Sequence, residues 1–593
     1  MTDFLQEAEV ADPRDVHRAT LIRLATGLIQ GLLLYGLYQA DKSKVWPATQ
    51  REVYAAFLMI VLFVPFVGLA GVSALRLRTL AVWKGVAALV AGGLGAYGVW
   101  SGDPVAQGVN GLGPQTFLAI AALVFIGHHL VQPADMERRR IARYPTYFDV
   151  TWKHGVQGAL SVGFTGAFWL LLFLAAALFK LIGVDAIEKL IRHEWFIFPA
   201  TAVMFAAAVQ LTDVRANLVR GVRTVALTLL AWLLPLMTLI AAGFLLTLPF
   251  TGLEPLWKTK SATAILLVAD AFLILLTNAA YQDGTEKTAV VLKWAARLAG
   301  VLLVPITVLA AYGLSLRIGQ YGLSPDRIIA AACVLVATGY ALGYTVAAVR
   351  PGDWMRTLEM TNIAMAFVVI VVLLALCTPV ADPRRLSVVD QVARLKAGRV
   401  SAEAFDYVAL RFDDGRYGRE SLDALQRHAD PVISKKATDT AKLKSRPYMT
   451  RLTAAPSGYS ATRVFPKGQV LPRSFVDQAW RIEDAPYCSD GERNCRALLI
   501  DTDGDGAAEV LLSGGGAFDV FKADAAGVWK KVAQASGECE GIDEKALEAG
   551  VVSIAPSPPA RDLVIGGKRM RIEPTPSCDL AAELSTTLNR KKP

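Results

Sequence analysis

The sequence predicts an α-helical polytopic membrane bundle of about eleven transmembrane helices, followed by a soluble C-terminal α+β domain. Three observations lead there. Of the 593 residues, 54% are hydrophobic and only 19% charged, with a mean hydropathy of +0.40, a balance that a water-soluble chain of this length does not keep. Nearly all the long apolar runs fall within residues 20–378. Residues 379–593 have the charge and turn density of soluble protein, and the change falls at Cys377-Thr378-Pro379.

Residues 1–19 form a polar segment with Asp3, Glu7, Glu9, Asp12 and Asp15, without the basic start and apolar stretch of a cleaved signal peptide. The run from Leu21 to Ala40 therefore reads as a retained first span. At about 1.5 Å of rise per residue, roughly 20 apolar residues cross the hydrocarbon. Runs of that order are 20–40, 53–73, 80–100, 115–132, 153–180, 195–212, 223–248, 261–281, 289–314, 327–349 and 358–378. Pro65, Pro199, Pro235 and Pro305 lie inside runs, where proline bends or breaks a helix. The Gly- and Ala-rich faces at 87–98 and 155–166 suit close helix approach.

Loops on the N-terminal side carry seventeen Lys and Arg, with Arg138, Arg139, Arg140 and Arg143 the densest group, against ten opposite. The positive-inside rule then puts the N-terminus in the cytoplasm. An odd number of spans puts the C-terminal domain outside the cytoplasm, in the periplasm if the host is Gram-negative. Trp46, Trp83, Trp100, Trp152, Trp195, Trp257 and Trp354 fall at or near span ends, as interfacial indoles do. These loop cations account for the net charge of +9. There is no zinc-finger spacing, aromatic–basic interleaving or basic tail, so nucleic acid is excluded as a partner and the lipid bilayer is the expected one.

Within the spans, Asp270 stands in the middle of an apolar run, where a carboxylate is costly unless neutral, paired or facing a polar cavity. It reads as a proton or cation site, or as a helix–helix hydrogen bond. Asn278 lies two turns on, on roughly the same face. Glu359 and Asn362, at the start of the last span, are placed to reach the same interior, and Arg297 is a partner for either acid. His128 and His129 close the fourth span. Histidine suits proton or metal chemistry, but a third ligand is missing, and interface packing is the expected role. Lys153 and His154 read as interfacial residues opening the fifth span.

Residues 379–440 read as a helical juxtamembrane segment, with a helix at 387–397, another starting at an N-cap Ser401, and a third from Glu420 to His428. Residues 441–593 read as α+β. Cys488, Cys495, Cys539 and Cys578 are an even set in an extracytoplasmic domain, compatible with two disulfides, the short 488–495 loop being the expected pairing. The motif Asp501-Thr502-Asp503-Gly504-Asp505-Gly506-Ala507-Ala508-Glu509 follows a strand-like run. Its alternate carboxylates, Asp501, Asp503, Asp505 and then Glu509, converge hard oxygen ligands as calcium requires. Leu512 stands where an EF-hand needs its bidentate glutamate, so the loop is no EF-hand. An acidic β-turn is the alternative.

Several stretches carry a resemblance: Trp46-Pro47-Ala48-Thr49, Leu62-Phe63-Val64-Pro65, the run of spans to Cys377, and Arg416-Tyr417-Gly418 after them. In these the chain resembles DUF4153, a bacterial domain-of-unknown-function family of polytopic inner-membrane proteins. The resemblance implies the membrane architecture and transfers no activity or catalytic residue. No nucleophile elbow, Walker loop, dinucleotide fingerprint or zinc-protease helix occurs. Three functions stay open. An envelope scaffold or sensor, its outer domain binding an ion, an envelope protein or a glycan, is favoured by the size of that domain. A transporter or channel would use Asp270. An enzyme acting on a lipid-linked substrate is the third.

Overall fold

The computed structural model describes residues 13–443 apart from 104–111, 260, 285–287 and 352–353. Beyond them it describes 446, 462–466, 468–478, 480, 486, 495–513, 517–525, 527–536, 547, 551–552, 563–565 and 568–570. The chain divides into two compact units, residues 1–444 and 445–593.

The first unit begins with α1 (Pro13–Lys42), α2 (Arg51–Gly71), α3 (Leu77–Ser101), α4 (Pro114–Glu137), α5 (Tyr144–Leu181), α6 (Ala186–Arg192), α7 (Glu194–Val214), α8 (Ala216–Thr251), α9 (Glu254–Lys258), α10 (Ala262–Tyr281), α11 (Val290–Tyr321), α12 (Pro325–Val349) and α13 (Thr357–Leu376). All but the short α6 and α9 are long and apolar enough to cross a membrane, eleven among the described residues. Their outward faces are apolar: on α5, Leu170, Leu171, Phe173, Leu174, Leu178 and Leu181 are exposed, the composition that hydrocarbon and not water tolerates.

Helix ends depart from expectation at two places that matter. Pro133 lies inside α4, which runs on to Glu137 and stops where Arg138 turns left-handed at φ 54°. Helix α5 begins at Tyr144, with Pro145 in its first turn, where the missing N–H costs nothing. His128, His129 and His154 therefore lie well inside their helices. Pro65, Pro199, Pro235 and Pro305 also sit inside unbroken helices. Of the two small-residue faces, one packs: a Cβ on Gly95 would stand 2.7 Å from Met59 Cγ and 2.9 Å from the Ala55 carbonyl. At Gly155, Gly158, Gly163 and Gly166 a Cβ would meet nothing within 4 Å among the described residues, so these glycines mark no close helix approach there.

After the last span come α14 (Pro383–Lys396), α15 (Tyr407–Phe412), α16 (Gly415–Leu425) and α17 (Pro431–Ala441), around Val388, Leu395, Leu410, Leu422 and Ile433. Aspartates cap three of them: Asp382 accepts from the Arg384 amide at 2.8 Å, Asp406 from Ala409 at 2.9 Å and Asp430 from Val432 at 2.8 Å. The expected helix at Ser401 is a single turn, its hydroxyl accepting from the Ala404 amide at 3.3 Å, and the chain is recapped by Asp406 to start α15. The helix expected from Glu420 starts at Gly415, and α17 was not anticipated despite its Asp-Pro start.

The second unit holds a five-stranded sheet in sequence order: β1 (Arg463–Phe465), β2 (Arg496–Ile500), β3 (Glu509–Ser513), β4 (Ala517–Ala523) and β5 (Trp529–Ser536). β1 runs parallel to β2, and the other pairs are antiparallel. Strand alternation sends Ala497, Val510, Leu512 and Phe521 to one core with Phe475, Trp480 and Trp529, and Leu498, Leu511 and Val520 to the other face with Phe465.

Candidate functional site

The acidic loop joins β2 to β3, whose register sets Ile500 opposite Glu509. That pairing brings Glu509 back under the loop. Its side chain is buried, and Oε2 accepts from the Thr502 amide at 2.6 Å and hydroxyl at 2.7 Å. Asp501 accepts from the amides of Gly504 at 2.7 Å and Gly506 at 2.8 Å, which hold its carboxyl below the usual range. Gly504 and Gly506 take φ of 79° and 86°, conformations that glycine supplies freely. Asp501, Asp503 and Glu509 each offer an oxygen within 4.8 Å of the others, so this acidic cluster has the hard-oxygen donor set of a metal site. Asp505 is turned to Lys522 from β4, which bonds both Asp503 and Asp505 and lies 3.5 Å from Glu509 Oε1. These bonds raise the lysine pKa and lower that of Asp505. Cys495 is disulfide-bonded, while Cys488, Cys539 and Cys578 lie outside the described residues. Cys333 and Cys377 are free thiols.

Among the intramembrane residues, Asp270 is 1% exposed, in the largest apolar core. Its Oδ2 accepts from the Thr307 hydroxyl of α11 at 2.8 Å, and Oδ1 has no partner. Asn278 does not join it, since eight residues of helix separate them by about 12 Å. Instead Asn278 donates to Tyr344 at 2.7 Å and accepts from Asn362 at 2.6 Å, while Tyr344 donates to Asn362 at 2.8 Å. Tyr144 completes this group of four side chains from four helices. Glu359 accepts from Tyr281 at 2.7 Å. Arg297 lines a separate cavity of about 560 Å³ with Thr238 and Trp294, and no ion pair joins it to Asp270 or Glu359 among the described residues.

His128 and His129 meet a third histidine. His129 Nε2 lies 3.0 Å from His154 Nδ1 on α5, and its Nδ1 lies 2.7 Å from the Phe125 carbonyl. The third ligand that the sequence did not show is His154, brought to the pair by the packing of α5 against α4.

Two further clusters escaped the sequence reading. Arg23 of α1, fully buried, donates to the Leu69 carbonyl at 3.0 Å, to Asp213 at 2.8 Å and to Gln210, and Lys153 donates to the same Asp213 at 2.7 Å. An arginine three residues inside an apolar run was the available signal. The second cluster explains the Arg416-Tyr417-Gly418 motif. Arg416 lies over the Trp100 ring, 4.5 Å from its centroid, and donates to the Trp100 carbonyl at 2.9 Å. The Tyr97 hydroxyl donates to Asp382 at 2.7 Å and lies 3.0 Å from that of Tyr417. A Cβ on Gly418 would stand 2.2 Å from the Leu410 carbonyl. The motif thus fastens α14–α17 to the end of α3.

A family profile described as a domain of unknown function (DUF4153) matches residues 50–427, from α2 through α16 and including that fastening. No curated protein and no solved structure matches the chain. Eleven apolar helices and a profile spanning well over half the sequence make this chain a polytopic membrane protein of the DUF4153 family.

Proposed function

We propose that the chain is a bacterial inner-membrane scaffold or sensor, with its N-terminus in the cytoplasm and residues 445–593 in the periplasm, where the 501–509 loop binds a divalent cation. The observation carrying this reading is the convergence of Asp501, Asp503 and Glu509 on one point, with the Lys522 ammonium drawn to the same carboxylates. The loop already holds one positive charge, the Lys522 ammonium. Calcium suits a flexible all-oxygen set, and it binds by displacing the lysine. A periplasmic protein or glycan would then read the state of the unit. The orientation is supported by the loop cations and by the odd span count.

The test uses the full-length chain in nanodiscs, titrated calorimetrically with Ca²⁺. Saturable binding is expected, weakened at least about tenfold by Asp501→Asn with Asp503→Asn and strengthened by Lys522→Gln. Absence of binding in both the wild type and Lys522→Gln overturns the ion reading. Alkaline phosphatase fused after Lys444 is expected to be active and after Glu137 inactive; the reverse overturns the topology. A second reading, transport through Asp270, draws on the unpartnered Oδ1 of that carboxyl.

A further inference from the structure

Three of the chain's six histidines share one site between α4 and α5. The ring centres of His128, His129 and His154 are 5.5, 5.5 and 5.0 Å apart. We propose that these three residues bind a single transition-metal ion, zinc or copper, whose remaining coordination position opens into the adjoining cavity.

The spacing is that of imidazoles around one ion. With metal–nitrogen bonds of about 2.0–2.1 Å, each ring centre lies roughly 3.2 Å from the metal, and tetrahedral angles set the centres about 5.2 Å apart. Two nitrogens on such an ion stand roughly 3.3 Å apart; His129 Nε2 and His154 Nδ1 are 3.0 Å apart. The tautomers agree. A carbonyl only accepts, so His129 Nδ1 carries its proton toward Phe125, leaving the Nε2 lone pair aimed at His154. A backbone carbonyl on the far nitrogen is how ligating histidines are oriented. The ion takes the place of the single proton now shared between the two rings.

His128 supplies the independent sign of a missing ligand. It is 4% exposed, and neither ring nitrogen has a partner in good hydrogen-bonding geometry, the one polar side chain that reaches toward it being Gln132. Gln132, one turn along α4, makes no well-formed bond through Oε1 either, so it does not satisfy both ring nitrogens. Two bare nitrogens in an apolar interior cost stability unless something meets them. A half-turn about χ2 exchanges ring carbons for nitrogens without moving the ring centre, so the ring's position is what counts. The three histidines line a cavity of about 270 Å³ with Gln157 and the aromatic rings of Phe66, Phe125 and Phe205, room for a ligand at the fourth position. Neutral imidazoles select zinc and copper over calcium or magnesium. The charges that act on His154, Lys153 and Asp213, are paired with each other, and Asp213 is also held by Arg23.

The experiment takes the full-length chain without a polyhistidine tag, stripped by chelator, in nanodiscs, and titrates it with Co²⁺ as an optical probe before competition with Zn²⁺ and Cu⁺. With Ca²⁺ in excess to fill the 501–509 loop, one cobalt per chain is expected, with the visible absorption of a tetrahedral nitrogen site, displaced by zinc or copper. His128→Ala and His154→Ala each lower cobalt affinity at least about tenfold, whereas His193→Ala, an exposed histidine outside the site, leaves it unchanged. His128→Gln and His154→Gln, closer in size and polarity, repeat the test if an alanine variant melts early in chelator. No cobalt uptake by the folded wild type, or uptake that the histidine variants leave unaltered, overturns the site.

Discussion

The Tyr97 hydroxyl donates a 2.7 Å hydrogen bond to Asp382 Oδ2, joining two residues 285 positions apart. Tyr97 ends the third span; Asp382 caps the first helix after the eleventh. One carboxylate thus serves as helix cap and as anchor for the segment that follows the bundle, with Tyr417 closing the group.

Tyr97→Phe removes the anchor and leaves the cap. Hydrogen bonds to a charged group are worth about 1.5–3 kcal/mol, so the variant is expected to melt earlier in nanodiscs and to expose residues 383–441 to protease. Asp382→Ala loses the cap as well, a further ~1 kcal/mol, and is expected to be the worse of the two. Equal melting of both variants and wild type contradicts the anchor.

Gly415 takes φ 56°, and a Cβ there would stand 2.3 Å from the Ser101 carbonyl oxygen. The atoms that Cβ would meet, on Ser101 and Gly102, are all backbone, so they cannot yield as a side chain would. Gly415→Ala is expected to cost more than about 2 kcal/mol, read by the same melt and proteolysis, with Gly398→Ala, whose Cβ would meet nothing, as the milder comparison.

Burial, helped by neighbouring Asp413 and Asp406 and opposed by Arg384, pushes the Asp414 carboxyl up to about 7. A carboxyl with a raised folded pKa holds its proton more tightly when folded. Its contribution to stability is therefore absent well above pH 7, grows as the pH falls through 7, and is complete below about 4. Amides of α15 and α16 are expected to be better protected from hydrogen exchange at pH 6 than at pH 8, after correction for intrinsic rates. Asp414→Asn is expected to remove that difference; a difference that persists in the variant assigns it elsewhere.

Asp270→Asn keeps an acceptor for the Thr307 hydroxyl and is expected to change stability by less than about 1 kcal/mol, whereas Asp270→Leu strands that hydroxyl and costs about 1–3 kcal/mol. If Asp270→Asn folds normally yet abolishes a proton or solute flux measured in proteoliposomes, the transport reading displaces the scaffold reading.

Sequence alone determined the membrane bundle, the number of spans and the change of environment after Cys377, because hydrocarbon imposes one length and one composition on every crossing helix. It also showed the acidic hairpin loop, since ligand spacing there is local in the chain. Tertiary structure decided everything that depends on which helix faces which. Asn278 and Asn362 pair across 84 positions, and Asp270 stands apart from both. Arg23 finds Asp213 from 190 positions away. His154 reaches His129 because α5 packs against α4, and both helices continue past their apolar stretches, through Pro133 and from Tyr144. Hydropathy marks where the lipid ends, not where the helix does, and a polar residue in either margin carries no record of its partner until the helices pack.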